Sequence, residues 1–354
     1  MHLLIYYIGN FAGGIVVGVH LAVVGATGAV GDLIRRVLVE RNFPVGSIKF
    51  LASEKSAGKR VEFAGKPYTV ELLRPEAFAG VQIVLSSTPG SVSKEFSPIA
   101  AKAGAIVVDN SSAWRMDPDC PLVVPEVNAA ELHNARKGIV ANPNCVAIPL
   151  TVALKPLHDL GAIQRIVVST YQSSSGKGAT GLTDFDAQIR PYALGQLVPA
   201  PTAHKAQLAG NVVTLDWTLD PNGYTEEENK VIHETRKIFG DATIGVSPTC
   251  VRVPVRIAHS LAINVEFARP ISVDEAKAAL AKAPGIVLMD EFAGEFPQPL
   301  RAEGSDMTFV GRVRLDASNP KCLNLWVVAD NLRKGAATNA VQCAEELIRR
   351  GIVK

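Results

Sequence analysis

A cysteine stands where a strand gives way to a helix in Gly138-Ile139-Val140-Ala141-Asn142-Pro143-Asn144-Cys145-Val146-Ala147-Ile148-Pro149. The apolar run to Val140 reads as a strand, Pro143 punctuates a turn, Asn144 can cap, and Pro149 is tolerable only near a helix start. Cys145 is therefore expected at a helix mouth, where unpaired backbone N–H groups and the positive dipole end favour thiolate over thiol. A free cysteine is only a few per cent thiolate at neutral pH, so such placement is how a nucleophile is made. The competing reading is a buried small hydrophobe, a common station for cysteine.

Other residues could complete such a site. His259 interrupts a segment in which the other odd positions from 251 to 263 are apolar. It is either a satisfied core histidine or an acid/base. Arg252 lies seven residues earlier and would face the opposite way in an unbroken strand. If both serve one site, the chain must break between them, and Pro254 makes a break plausible. Thr225-Glu226-Glu227-Glu228 is a capping box opening a helix to Phe239, with Glu227 and Lys230 on one face. That spacing also describes an ordinary surface ion pair. Arg115, after Asp109-Asn110-Ser111-Ser112-Ala113-Trp114, suits an anion clamp or, standing alone, a surface pair.

The elements that position these residues follow two patterns. Leu21–Val24, Ile48–Ala52, Val81–Leu85 and Ala105–Val108 are short apolar runs, separated by helices such as the one from Val92 to Ala103. Strands alternating with helices predict a doubly wound parallel sheet, with ligands at the carboxyl ends of its strands. After the first strand comes Gly25-Ala26-Thr27-Gly28-Ala29-Val30-Gly31 and a helix to about Glu40. Gly25 and Gly28 allow a tight turn close to a pyrophosphate, and Gly31 lets the helix sit close on the strand. At the tip of the second strand, Ser53, Lys55 and Ser56 supply donors suited to a 2′-phosphate, while Glu54 complicates that reading. The tip leans to NADP or is a solvated loop of mixed charge. From about Val146 to Asp330 the strand-like segments Ile163–Val168, Val212–Thr214, Arg252–Val255, Leu261–Phe267, Thr308–Arg314 and Cys322–Val328 lie among long loops. They predict an α+β domain around a mostly antiparallel sheet.

The expected division is an apolar extension over residues 1–18, a dinucleotide-binding domain over 19–144 and a catalytic and dimerisation domain over 145–330. A helix in 331–354 then returns to the first domain. A chain of 354 residues has room for about two domains. Its net charge of +2 argues against nucleic acid and an anionic membrane as partners. Five scattered cysteines without a Cys-x-x-Cys pair fit a reducing cytoplasm and no zinc site. His233-Glu234 lacks a second histidine at 237, so no metal is expected. Residues 3–19 lack the basic flank of a secretory signal and are short for a membrane span, so a non-native extension is expected, with a membrane anchor as the alternative.

Ten blocks carry a family resemblance: Ala22–Gly31, Leu51–Gly58, Gly90–Phe96, Asp109–Asp117, Val124–Asn128, Asn142–Pro149, Ser169–Gly176, Thr225–Lys230, Cys250–Val255 and Asn324–Asn331. In them, in order, the chain closely resembles bacterial aspartate-semialdehyde dehydrogenases. The resemblance implies reduction of L-aspartyl 4-phosphate by NADPH to L-aspartate 4-semialdehyde and phosphate, on the way to lysine, threonine and methionine. It implies a homodimer with Cys145 as nucleophile, His259 as acid/base and Gln172 orienting the acyl intermediate. Arg252 matches the grip on the substrate carboxylate and Glu227 the acidic group near its amine. Arg115, Asn144 and Lys230 match the phosphate-binding set. The dinucleotide falls to Gly25, Thr27, Gly28, Ala29, Val30, Ser53, Lys55, Ser56, Ser87, Gly176 and Asn331. Lys55 stands where many members carry arginine, keeping the charge but losing the planar fork. The related N-acetyl-γ-glutamyl-phosphate reductases read more like Asn-Pro-Gly-Cys at the nucleophile, where this chain has Asn144. A catalytically silent dinucleotide-binding homologue is the alternative of another class.

Overall fold

Short apolar runs buried on both faces build the first sheet. The computed structural model describes residues 10–11, 14–15 and 18–353, so most of the apolar stretch read as an N-terminal extension lies outside the described residues. The chain divides into two units, one running to Pro143 and resuming at Ala336, the other spanning Asn144–Gly335.

In the first unit, strands β1 (Val19–Val24), β2 (Val45–Ala52), β3 (Glu71–Leu72), β4 (Ile83–Ser86), β5 (Ile106–Asp109) and β6 (Ile139–Ala141) form one parallel sheet. Their order is β6-β5-β4-β1-β2-β3, which reverses direction at β1 and opens a crevice at the carboxyl ends of β1 and β4. Alternation along β1 sends Leu21 and Val23 into one core and Ala22 and Val24 into the other. Helix α1 (Ala29–Glu40) packs on the first core through Ile34, Val37 and Leu38. Helix α2 (Gly90–Lys102) covers the second through Ala100.

The second unit opens with helix α3 (Ala147–Gly161), buried along nearly its whole first three turns. Strand β7 (Ile163–Gln172) and helix α4 (Gly178–Ala193) follow, then helix α5 (Glu226–Phe239). The capping box at Thr225 is formed, and Gly240 ends α5 in the left-handed conformation. Strands β8 (Gly245–Arg252), β9 (His259–Phe267), β10 (Ile286–Leu288), β11 (Thr308–Asp316) and β12 (Asn319–Ala329) join β7 in the order β8-β7-β9-β12-β11-β10. The three central pairs are antiparallel and the two outer pairs parallel, so the sheet is mixed. On one sheet face a hollow of about 630 Å³ is lined by Val167, Ser169, Asn264, Arg314, Asn324 and Trp326 among others.

Two strand expectations are corrected. Arg252–Val255 does not begin a strand; β8 ends at Arg252, and the chain turns through Pro254 before β9 starts at His259. Val212–Thr214 is no strand either, since only Val213 bridges to Arg252. Helix α7 (Thr338–Arg349), which follows α6 (Val273–Lys282) in the chain, belongs to the first unit and buries Val341, Ala344 and Leu347 in its core. Among the described residues no helix is long and apolar enough to cross a membrane.

The glycine turn yields a stability contrast. A Cβ on Gly31 would lie 2.3 Å from the carbonyl oxygen of Gly25, whereas a Cβ on Gly28 meets nothing nearer than 3.4 Å. Gly31→Ala is expected to destabilise by about 2 kcal/mol or more and Gly28→Ala by less than about 1 kcal/mol. Urea denaturation of the two variants checks the ranking, and equal losses would contradict it.

Candidate active site

The first unit carries a turn shaped for an anion. Gly25 has φ +79° and a Cβ there would sit 2.1 Å from the Ser87 carbonyl oxygen, so only glycine lets the β1 and β4 ends approach this closely. Helix α1 starts behind Gly28 with no side-chain cap, so its first-turn N–H groups have no side-chain acceptor there and could receive an anion. Thr27 is exposed and its hydroxyl donates to Ser56 Oγ at 3.2 Å, joining the turn to the β2 tip. Ser53 and Lys55 are exposed on that tip. This donor set, with an open glycine cradle above it, fits a phosphorylated dinucleotide. Arg115 is half-buried in the same unit and donates from Nε to Asn142 O at 3.0 Å and from Nη2 to Asn110 O at 3.1 Å. It thereby ties the loops that follow β5 and β6.

In the second unit the nucleophile candidate is set by Asn144. Its Oδ1 accepts from Val146 N at 2.8 Å and Ala147 N at 3.4 Å, capping α3 immediately beyond Cys145. Its backbone N–H donates to Glu234 at 2.6 Å and its Nδ2 to Glu227 Oε1 at 2.9 Å. Cys145 is reduced and partly exposed. Gly335 lies against it, where a Cβ would come within 3.1 Å of the Cys145 Cβ. Cys250 offers no rival nucleophile, because burial pushes its thiol well up.

Glu227 turns inward. It is 5% exposed, and its Oε1 also accepts from Gln172 Nε2 at 3.3 Å. Lys230 makes its short contact, 2.6 Å, with exposed Glu226 and stands 3.7 Å from Glu227 Oε2. The surface ion pair is thus Lys230 with Glu226, while Glu227 joins Asn144 to Gln172.

Sheet register brings the remaining residues together. Gln172 is paired with Arg252 across β7 and β8, and Tyr171 with Ser260 across β7 and β9, which sets Gln172 level with His259. The break after Arg252 resolves the parity conflict, since the two residues sit on different strands flanking β7. Ala258 supplies the last part of that break with φ +75°, a strained conformation held by its N–H bond to Asn331 Oδ1 at 3.0 Å.

His259 is fully buried. Its Nδ1 accepts the Ser173 backbone N–H at 3.0 Å. A backbone N–H can only donate, so the neutral ring carries its proton on Nε2. That Nε2 has no hydrogen-bond partner among the described residues. Burial, and secondarily the Arg252 charge, pushes the His259 pKa down to about 3. Gly176 leaves the space beside Nε2 open, since a Cβ there would lie 3.3 Å from Nε2 and 2.8 Å from Arg252 Nη1.

Arg252 is 1% exposed and held on three sides. Nε donates to Asp216 at 2.9 Å, Nη1 donates to Ser173 O at 2.6 Å, and the guanidinium lies 4.5 Å from the Trp217 ring centroid. Asn331 gathers the loop by accepting from Ser173 Oγ, Ser175 Oγ and Ala258 N. Sequence reasoning missed Ser173, Asp216, Trp217, His204 and Glu234. For His204, Asp216 and Trp217 the long irregular stretch 194–224 flags a functional loop without singling out its residues.

Comparison with known proteins identifies the family. A family model described as semialdehyde dehydrogenase, NAD binding domain, matches residues 20–135, and one described as semialdehyde dehydrogenase, dimerisation domain, matches 154–334. An aspartate-semialdehyde dehydrogenase of Aquifex aeolicus is 50% identical over 95% of this chain and 100% of its own. The crystal structure of aspartate semialdehyde dehydrogenase II complexed with ASA from Vibrio cholerae is 45% identical with a TM-score of 0.89, covering 94% of this chain and 98% of that one. The Candida albicans enzyme with NADP is 25% identical with a TM-score of 0.74, over 95% and 100% of the two chains. Family models match both units and a relative is 50% identical over 95% of this chain, so the chain, whose second unit carries Cys145, Gln172, Arg252 and His259, belongs to the aspartate-semialdehyde dehydrogenase family.

Proposed function

We propose that this chain converts L-aspartyl 4-phosphate to L-aspartate 4-semialdehyde through a thioester on Cys145. The carrying observation is that one end of the second sheet gathers a carboxylate grip, Arg252, and a proton-bearing Nε2 on His259. The same unit holds a buried acid, Glu227, beside the capped cysteine. The Vibrio cholerae relative complexed with ASA supports the substrate class. The Cys145 sulfur attacks the acyl carbon, the C–S bond forms and the C–O bond to phosphate breaks. Arg115, Asn144 and Lys230 are the proposed phosphate-binding residues. NADPH, when bound, supplies the hydride that reduces the thioester carbon. His259 Nε2–H donates a hydrogen bond to the oxyanion of the tetrahedral thiohemiacetal, which collapses to the aldehyde as the C–S bond breaks and Cys145 leaves as thiolate. The positive end of the α3 dipole favours an anion at Cys145, while the Val146 and Ala147 N–H groups are already taken by Asn144 Oδ1. Gln172 orients the acyl group, and Glu227 meets the substrate ammonium through its Oε2 side.

NADP is favoured over NAD because Thr27, Ser53, Lys55 and Ser56 present donors and one cation to a 2′-phosphate, and the Candida albicans relative holds NADP. Ser87, whose carbonyl packs on the glycine turn, borders the dinucleotide from β4, while Gly176 and Asn331 shape the nicotinamide end. A second copy of the chain covers the hollow on the second sheet, in keeping with the dimerisation-domain match. The enzyme works in the cytoplasm in lysine, threonine and methionine synthesis. N-acetyl-γ-glutamyl phosphate fits less well, because acetylation removes the ammonium that Glu227 would meet.

Cys145→Ala is expected to abolish phosphate-dependent reduction of NADP⁺ by aspartate semialdehyde while dinucleotide binding, followed by fluorescence titration, stays near wild type. More than trace turnover would exclude the covalent route. Arg252→Ala should chiefly raise KM; a pure kcat loss would contradict carboxylate binding. His259 also predicts a pH dependence of stability. Its folded pKa of about 3 lies below the ordinary 6.5, so as pH falls the unfolded chain takes up the proton first. The contribution is absent above 6.5, and stability declines by up to about 1.4 kcal/mol per pH unit from 6.5 toward 3. His259→Asn should lose that slope in urea denaturation between pH 7 and 5, and identical slopes would contradict a buried neutral ring.

A further inference from the structure

Behind Arg252 lies a buried charge cluster that no step of the proposed reaction uses. Asp216, 3% exposed, accepts four hydrogen bonds or ion pairs. Oδ2 takes Arg252 Nε at 2.9 Å and His204 Nδ1 at 3.1 Å; Oδ1 takes the Lys205 backbone N–H at 2.9 Å and Lys177 Nζ at 3.1 Å. Burial alone would raise the Asp216 pKa, but these donors outweigh it and hold the carboxyl well below the usual range.

His204 closes the cluster. Its Nε2 lies 2.7 Å from Ser174 Oγ, whose single hydrogen is donated to Gly181 O, also at 2.7 Å. Ser174 must therefore accept from Nε2, while the ionised Asp216 must accept from Nδ1. His204 thus donates from both ring nitrogens. Its backbone is fixed in turn by Asp184, a carboxylate on α4 that accepts from Thr202 N, Ala203 N and His204 N within 3.0 Å. Ser174 follows Ser173, which holds both His259 and Arg252. Two cations, Arg252 and Lys177, contact Asp216 and outnumber it. With Nε and Nη1 occupied, Arg252 Nη2 has no acceptor among the described residues.

We propose that Asp216 and His204 are positioning residues for substrate recognition, locking the Arg252 guanidinium so that its open edge and the surplus positive charge select a carboxylate. This rests on the reading of Arg252 as the carboxylate grip. A side chain so clamped loses little freedom on binding, so its selectivity depends on the clamp.

The test compares L-aspartate 4-semialdehyde with 3-aminopropanal, which lacks the carboxylate, in the NADP⁺- and phosphate-dependent direction. His204→Gln keeps an amide donor toward Ser174 but not the one toward Asp216. It is expected to raise KM for the semialdehyde about tenfold, to change kcat less than about threefold, and to reduce the preference over 3-aminopropanal by a similar factor. Asp216→Asn should do the same more strongly; if it does not fold, His204→Gln decides alone. A merely structural role would weaken both aldehydes alike and leave the preference intact, which overturns the proposal. Arg252→Ala separates the two readings. If it too leaves the preference intact, Arg252 is not the carboxylate grip. If it alone removes the preference, the clamp is not what positions it.

Discussion

The second unit depends on the main chain of one residue, Ser173. Its N–H is donated to His259 and its carbonyl accepts from Arg252. Both groups belong to the main chain, so their hydrogen-bonding sense cannot change with protonation or side-chain substitution. The N–H forces the histidine proton onto Nε2, and the carbonyl turns Arg252 so that Nη2 remains open. Much of the surrounding structure serves to deliver that residue. Strand β7 ends just before it, β8 and β9 flank it, and Asn331 gathers three donors from Ser173, Ser175 and Ala258 around it. The strained Ala258 backbone lets His259 start β9 beside this loop.

Around Cys145 a different balance holds. Glu227 and Glu234 are buried carboxylates, and part of their desolvation is offset by Asn144, which donates one N–H to each. Truncating the Asn144 side chain would take a donor from Glu227 and uncap α3, while the backbone bond to Glu234 would remain. Glu227 takes amide donors on Oε1, and Lys230 makes a long ion pair of 3.7 Å with Oε2. An ammonium ligand arriving at Oε2 would complete its shell, as a carboxylate would complete that of Arg252. Under the proposed function the two ends of an amino acid would meet Glu227 and Arg252, each preorganised by hydrogen bonds that need not move.

What was legible in the sequence was local. Gly25 and Gly31 announce a close approach because no other residue fits, and the Asn144 cap and the Thr225 capping box act over three residues. The strand pattern of the first unit follows from burial on both faces. The parity of Arg252 and His259 correctly demanded a break, but β8 had to be located before that break could become a junction between strands. Glu227 and Lys230 show the limit of spacing arguments, since helical periodicity cannot say which of adjacent Glu226 and Glu227 turns inward. Asp216 and His204 were silent, because they come from an irregular loop and act only through contacts distant in sequence.

The claim that organises this account is that the grip and the proton donor held by Ser173 serve an acyl group carried on Cys145. It is tested most directly by mixing the enzyme with L-aspartate 4-semialdehyde and NADP⁺ in the absence of phosphate, then mapping the modified peptide by mass spectrometry. The account predicts a burst of one NADPH per site and an aspartyl group on the peptide containing Cys145. No burst, or an adduct on any other residue, would contradict it.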